Sequence, residues 1–399
     1  MMDLPGDVIG EISRELGLLP DQVLIGGIGL LLIVLVIIVL FIGYLKILIH
    51  IAAFAYPVAR VRAIGNLYIT PEGTEELGEV KTIQELGAKL KERGFPLRID
   101  ETSTLRDLDQ MLDRAAVLDH VALEESAPGS ILPFFSAFRS LYEIEQLKTA
   151  FRCRLAGLSP DEIRARMIPV GTITPGLIEG CAHAESVDEM VLHLQESVYG
   201  KDLQAALDAY HETGTLLALE QALDSCALRE IVVSRTKVDN LLAGPVAEFC
   251  GTWIDIVNLN TMFRARAGGR AAGVKAARFM PGGASLEEWR LRQLMETPTL
   301  AETLHQLAGT DYYTVFQPVI TDTEEAGSVH LLEIELDHLL LRNVGSLALT
   351  YHLTGGPLIR FMVARRFEVR NIRAVIHALM EGLPAGMASR FFVTERGAA

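Results

Sequence analysis

The chain has 399 residues, 51 acidic against 36 basic side chains, a net charge of −15, and half of its residues are hydrophobic. So acidic a balance argues against a nucleic-acid partner, which requires basic stripes. The four cysteines, Cys153, Cys181, Cys226 and Cys250, form no Cys-x-x-Cys pair, so they read as reduced, partly buried thiols and not as a disulfide or zinc framework.

In chain order, residues 1–21 form an acidic tail in which Asp3, Asp7, Glu11, Glu15 and Asp21 face only Arg14. Val23 to Tyr44 then runs 22 residues without a charge: 17 Leu, Ile, Val or Phe, four Gly and one Tyr. About 20 apolar residues cross a bilayer core, so a transmembrane helix is predicted over 22–45. Gly26, Gly27 and Gly29 would let another helix approach closely. A cleaved signal peptide is the rival reading, because Ala53-Phe54-Ala55 resembles a cleavage site. The run is too long for such a peptide and the preceding tail is acidic, which favours an uncleaved anchor. Lys46, Arg60 and Arg62 follow the span, and positive residues stay on the cytoplasmic side. A single-pass protein of the cell membrane is expected, with its tail outside and its body cytoplasmic.

The body is triplicated. Glu143-Ile144-Glu145-Gln146-Leu147, Asp255-Ile256-Val257-Asn258-Leu259 and Glu368-Val369-Arg370-Asn371-Ile372 lie 112 and 113 residues apart, and each reaches a glycine fourteen residues on, at Gly157, Gly269 and Gly382. Pro133, Pro245 and Pro357 open the segments that lead into them, and Pro169-Val170-Gly171 matches Pro281-Gly282-Gly283. Thr82, Ser186 and Thr299, each followed by a Glu three residues later, predict capping boxes that start equivalent helices. Leu90, Leu194 and Leu307 follow at matching places. Arg60-Val61-Arg62, Arg152-Cys153-Arg154 and Arg264-Ala265-Arg266 share an Arg-x-Arg spacing, whereas the third motif has His377-Ala378-Leu379 there. A period this long belongs to repeated subdomains and not to a solenoid. The motif stripes Ile144/Leu147/Phe151, Ile256/Leu259/Phe263 and Val369/Ile372/Ile376 are helical in period. The fold class is therefore all-α: three pseudo-repeated helical subdomains forming a ring or funnel, plus the amino-terminal transmembrane helix. The expected divisions are 1–21, 22–45, 46–156 (linker and first repeat), 157–268 and 269–399.

No phosphate-binding loop, zinc-binding His-Glu-x-x-His or Gly-x-Ser-x-Gly elbow is present in the sequence. The repeated acids Glu143, Asp255 and Glu368 are expected to pair with nearby arginines or a neighbouring copy. Gln146, Asn258 and Asn371 are expected to satisfy backbone groups. The repeated arginines divide between intercopy ion pairs and contacts with an axial partner, where a forked guanidinium suits carboxylates.

The stretch Glu368 to Arg373, preceded by Gly356-Pro357-Leu358-Ile359-Arg360-Phe361, resembles the carboxy-terminal signature of the C subunit of A-type ATP synthases and the d subunit of vacuolar ATPases. Leu331 to Asp337, Phe279-Met280-Pro281-Gly282-Gly283 and Tyr56 to Arg62 are similar to further segments of that family, over roughly 56–390. The resemblance implies a non-catalytic, three-part helical funnel without cofactor or metal. It would sit on the cytoplasmic face of the proteolipid (c) ring and receive the central shaft, subunits D and F. It thereby couples ion flow to ATP synthesis or hydrolysis. Arg152, Arg264 and Arg370 are the candidate partner contacts, at the funnel lining or base. Residues 23–44 depart from the family pattern and would meet membrane lipid or the ring lumen. The alternative is a membrane-anchored helical scaffold that reuses the fold outside an ATPase. An enzyme would require a closed pocket of polarised acids and bases.

Overall fold

The computed structural model describes residues 13, 15–17, 19–93, 95, 99, 103–267, 279–326 and 328–395. Gly269 and the tail acids Asp3, Asp7 and Glu11 lie outside the described residues. The chain divides into two units, Met1–Ala55 and Tyr56–Ala399.

Among the described residues there are seventeen α-helices, and the only β pairing is an isolated bridge between Val170 and Ile173. The helices are α1 (Pro20–Ile64), α2 (Pro71–Gly78), α3 (Ile83–Glu92), α4 (Leu105–Ser126), α5 (Leu132–Leu155), α6 (Pro160–Arg166), α7 (Pro175–His183), α8 (Val187–His193), α9 (Gly200–Thr213), α10 (Leu217–Ser234), α11 (Asn240–Ala267), α12 (Glu288–Met295), α13 (Leu300–His305), α14 (Asp311–Phe316), α15 (Ile320–Ala326), α16 (His330–Thr350) and α17 (Gly356–Met380). The all-α expectation holds.

In the first unit, α1 carries the apolar run, with the side chains of Leu30 to Phe41 exposed. Its composition and length suffice to cross a bilayer. Helical structure continues through Lys46 to Ile64, so the stretch from Lys46 to Tyr56 expected as a linker is helical.

In the second unit, the three motifs lie on its three longest helices, α5, α11 and α17, and their acids, amides and apolar stripes point inward. Each motif helix packs against a second long helix: α5 on α10, α11 on α16, and α17 on α4. The amino-terminal ends of all three meet. A Cβ at Gly355 would stand 3.0 Å from both Ile131 Cδ1 and Leu242 Cδ2. Pro133 and Pro357 occupy the first turns of α5 and α17, where a missing N–H costs nothing. Pro245 instead lies inside α11, which begins earlier than its counterparts.

Gly157 and Gly382 stop their helices in the left-handed conformation, at φ 72° and 73°. The Leu158 amide donates to Cys153 O and the Gly157 amide to Arg154 O, a Schellman arrangement. Leu383 to Ala378 O and Gly382 to Leu379 O repeat it.

The predicted caps form with one difference. Thr82, Ser186 and Thr299 accept from the amides of Glu85, Glu189 and Glu302. Yet Glu85 and Glu189 reach back to the amides of Lys81 and Glu185, one residue before the cap. Full capping boxes form instead at Thr104/Asp107 and Ser159/Glu162. Leu90, Leu194 and Leu307 are all fully buried. All four cysteines are buried free thiols, and burial pushes Cys181 and Cys226 up to about 11 and Cys250 to about 12.

Candidate functional site

The repeated residues build three equivalent buried polar centres. Each begins with the motif amide, which binds the backbone 22 residues downstream. Gln146 accepts from the Ile168 amide at 2.8 Å. Asn258 accepts from the Met280 amide at 2.8 Å and donates to its carbonyl at 2.9 Å. Asn371 treats Val393 the same way, at 3.0 and 2.9 Å. A side-chain amide can satisfy both backbone groups of one residue, which fastens each returning segment without a sheet.

Three residues earlier sits the motif acid, 2% exposed at Glu143, 0% at Asp255 and 1% at Glu368. Buried carboxylates must be hydrogen-bonded, and these are, in different ways. Glu143 accepts from Thr172, from Arg139 at 3.2 Å and from the Tyr199 hydroxyl at 2.9 Å. Asp255 accepts from the Ser285 amide and hydroxyl at 2.8 and 3.0 Å, the Leu286 amide at 3.3 Å and the Tyr312 hydroxyl at 2.9 Å. Glu368 accepts from the Tyr68 amide at 3.0 Å, Asn66 at 3.2 Å and Arg365 at 2.7 Å. The expected arginine partner is thus present at Glu143 and Glu368, while Asp255 is held by amides and hydroxyls. Burial raises the Asp255 pKa above the ordinary carboxylate value, its four donors opposing the shift. Burial, reinforced by the neighbouring acids, raises the Tyr199 and Tyr312 phenols as well. Glycine is needed beside two of the acids: a Cβ at Gly171 would overlap Glu143 Oε1, and one at Gly283 would overlap Asp255 Oδ1. That explains the repeated Pro-x-Gly turns.

The third centre differs in origin. Its returning partners come from the opposite end of the body, at Asn66 and Tyr68, about 300 residues before the motif. Asn371 also donates to Tyr68 O at 2.9 Å, and the Glu395 amide donates to Ile69 O at 2.7 Å. Ile69-Thr70-Pro71 fills the role of Ile173-Thr174-Pro175, each threonine capping the helix that follows. That short match was the sequence signal for the closure, and the motif spacing did not reveal it.

The candidate contact arginines lie on the outer faces of the motif helices. Arg152 pairs with Glu220 at 2.7 Å and Arg264 with Glu333 at 2.6 Å, while His377 takes the same role against Asp109 at 3.0 Å. Arg152 and Arg264 are 55% and 68% exposed, which leaves them open to a partner. Arg370 pairs with Asp337 on α16 and is 39% exposed. The second arginine of each pair caps a short helix: Arg154 donates to Ala182 O at 2.6 Å, and Arg266 to Leu294 O at 3.1 Å and Met295 O at 3.3 Å. Arg60 and Arg62 do not share these surroundings. They donate to Ala122 O at 2.6 Å and His352 O at 2.9 Å, and the third motif helix carries His377 and Leu379 at the matching places.

Two surface cavities stand out. One, of about 390 Å³, is lined by Ala374, Ala378, Leu383 and Met387 together with Arg370, Arg373, His377, Arg390 and Phe391. The other, of about 300 Å³, is lined by Thr252, Ser285, Thr310, Tyr312 and Asn343. Among the described residues no three His, Cys, Asp or Glu side chains converge as a metal site.

A family model described as the ATP synthase (C/AC39) subunit matches residues 57–390. The C subunit of the A-type ATP synthase of Methanothermobacter thermautotrophicus is 32% identical over 341 residues, covering 84% of this chain and 86% of that protein. Its counterpart from Methanocaldococcus jannaschii is 28% identical over 345 residues, with 85% and 86% covered. That of Halorubrum lacusprofundi is 28% identical over 338 residues, with 83% and 94% covered. The match takes in all three motif helices, so the chain belongs to the ATP synthase (C/AC39) subunit family.

Proposed function

We propose that this protein is the non-catalytic central-stalk subunit of an A-type ATP synthase, the socket that joins the membrane proteolipid ring to the central shaft. The observation that carries the reading is the family match across 57–390, combined with relatives named as C subunits of A-type ATP synthases. The repeated chemistry of the motif helices supports a structural role. Their buried amides hold backbone, and their buried acids are engaged by side-chain and backbone donors. A rotor element must transmit torque without shearing, and three interlocked polar centres rigidify such a body.

In this reading three equivalent subdomains share the work. The sequence divisions at 156/157 and 268/269 cut after each motif helix. The hydrogen bonds run from each motif helix into the segment that follows it, which favours placing the cuts before the motif helices. The exposed arginines Arg152 and Arg264, with Arg370, are the proposed contacts to the ring or to shaft subunits D and F. Residues 23–44 cross the membrane with the body on the cytoplasmic side. A helix in lipid outside a turning ring would collide with the stator, whereas one in the ring lumen would turn with it. The lumen is therefore its proposed place, and crosslinkers at Leu31 or Val36 should capture the proteolipid's inner helix.

The test is a mass-spectrometric inventory of the detergent-solubilised complex that contains the full chain. Stoichiometric proteolipid and shaft subunits are expected. Recovery of the chain without them supports the membrane-anchored scaffold instead.

A further inference from the structure

Two of the three polar centres are closed within a continuous stretch of chain, and one is closed between its two ends. In the first, Glu143 and Gln146 hold residues 168–199. In the second, Asp255 and Asn258 hold residues 280–312. The third joins Glu368 and Asn371 to Asn66, Tyr68 and Val393. Its apolar core is likewise drawn from both ends: Tyr68, Leu77, Leu86, Leu90, Leu108 and Leu112 against Val369, Ile372, Val375, Ile376 and Phe392. Charged contacts follow the same seam. Arg365 bridges Asp119 at 2.5 Å and Glu368 at 2.7 Å, and lies 3.9 Å over the Phe95 ring. Arg373 pairs with Asp109 at 3.2 Å and with Asp113.

We infer that this composite third subdomain is the anchor that fixes the segment bearing the apolar amino-terminal helix to the rest of the body, with Glu368 and Asn371 as its positioning residues. The inference rests on the membrane-helix reading above for what the anchored segment does, and on geometry alone for how it is held. Residues 66–126 are joined covalently to residues 132–399 only through the short connector 127–131. Among the described residues their noncovalent attachments are those across the seam, the α4–α5 packing and a hydrogen bond from the Gln110 side chain to Ala165 O. The two side chains that set register are both fully enclosed. Asn371 spans Tyr68 O on one side and Val393 on the other, so it clamps both termini of the body at once. Losing a buried amide leaves several backbone groups unpaired. At Asn258 the chain itself keeps the segment in place after such a loss. At Asn371 the same is true of Val393, but nothing covalent nearby retains Tyr68.

The test cuts the connector. Gly129 is exposed, and an added Cβ there would meet no atom within 4 Å, so a protease site can be inserted beside it in the full-length chain. The detergent-solubilised protein, tagged at its amino terminus, is cleaved and recaptured on the tag. The expected result is stoichiometric co-elution of the 129–399 fragment. The urea midpoint for its release should fall by about 1 M in E368Q/N371A, on the scale of m-values for such bodies. The matched pair D255N/N258A should move it by less than half as much. Release of the cleaved wild-type fragment without urea overturns the inference. So does an equal shift from the two pairs of substitutions. Flotation of the cleaved protein with liposomes is the second readout. Fragments that co-elute yet stay out of the liposome fraction overturn the membrane-helix reading and, with it, the anchoring role, while leaving the seam itself intact.

Discussion

Arg370 neutralises Asp337 from the neighbouring helix because the position that should do so on Asp337's own partner helix is Asn260. In the other two subdomains the equivalent acid is met from the motif helix itself, Asp224 by Lys148 at 2.6 Å and Asp113 by Arg373. Asn260 carries no charge, and its Oδ1 is buried without a partner. Burial raises the Asp337 pKa, with Arg370 the principal opposing charge. R370Q should therefore lower the unfolding free energy by about 1–3 kcal/mol, the cost of an acceptor left unmatched. N260K in that background should recover at least half of the loss by restoring the arrangement seen at Lys148. Urea unfolding of the single and double variants checks this, and a strictly additive pair would refute the substitution of one cation for the other.

Gly171 and Gly283 should tolerate no side chain. A methyl at either would overlap a buried carboxylate oxygen, and Gly171 also sits at φ 53°. G171A and G283A are each expected to destabilise by about 1–3 kcal/mol, whereas G129A, in open space, should be neutral. Thermal unfolding of the three variants separates these outcomes, and equal melting temperatures would remove the steric explanation of the Pro-x-Gly turns.

His120 should make the body acid-sensitive. Its imidazole lies among Phe135, Phe138 and Tyr142, with Nε2 3.0 Å from Phe135 O. Burial pushes its pKa down from 6.5 to about 4, the neighbouring Glu124 opposing the shift. The folded protein thus binds fewer protons than the unfolded chain between those values. The contribution is fully present above pH 6.5 and is lost as pH falls toward 4. At one unit per 1.36 kcal/mol this amounts to about 3 kcal/mol. H120F should flatten that part of the stability profile, and an unchanged slope would show that other groups set it.

Charge reversal at Arg152 or Arg264 should separate binding from folding. Both pair with acids near solvent, so R152E and R264E should cost about 1 kcal/mol or less. Pull-down of proteolipid ring or shaft subunits should weaken at least severalfold if these guanidinium groups meet a partner. A sharp fall in melting temperature with undiminished binding would make them structural ion pairs only.

The motif helices and their inward acids and amides were legible because a 112-residue recurrence, combined with a helical stripe, specifies both element and face. Leu90, Leu194 and Leu307 followed from the helix caps, each lying eight residues after its capping threonine or serine. The closure of the third subdomain was not legible, because its partners Asn66 and Glu368 stand 302 residues apart and no local periodicity links them. The Arg-x-Arg at 60 and 62 misled for a related reason. Spacing alone does not distinguish an arginine pair on a motif helix from one on the helix that precedes the body. The capping glutamates were right in residue and helix but one amide off, because at 85 and 189 the side chain reaches past the cap residue. For the contact arginines, charge and exposure could be anticipated, but which acid each would take depends on helices folded against it from elsewhere in the chain.

The meeting of Ile131, Leu242 and Gly355 has a consequence for how such a chain can change over time. A faithful triplication would deliver three identical side chains to one crowded spot, and they could not all fit. The residues that meet are isoleucine at 131, leucine at 242, one residue off the 112-residue register, and glycine at 355, which brings nothing beyond a hydrogen. Growth at any one of them must be met by shrinkage at another, so these sites are expected to drift as a linked set. The rest of each repeat is free to diverge by itself. Unlike sizes at the meeting point are thus what let three sister segments share a single interior.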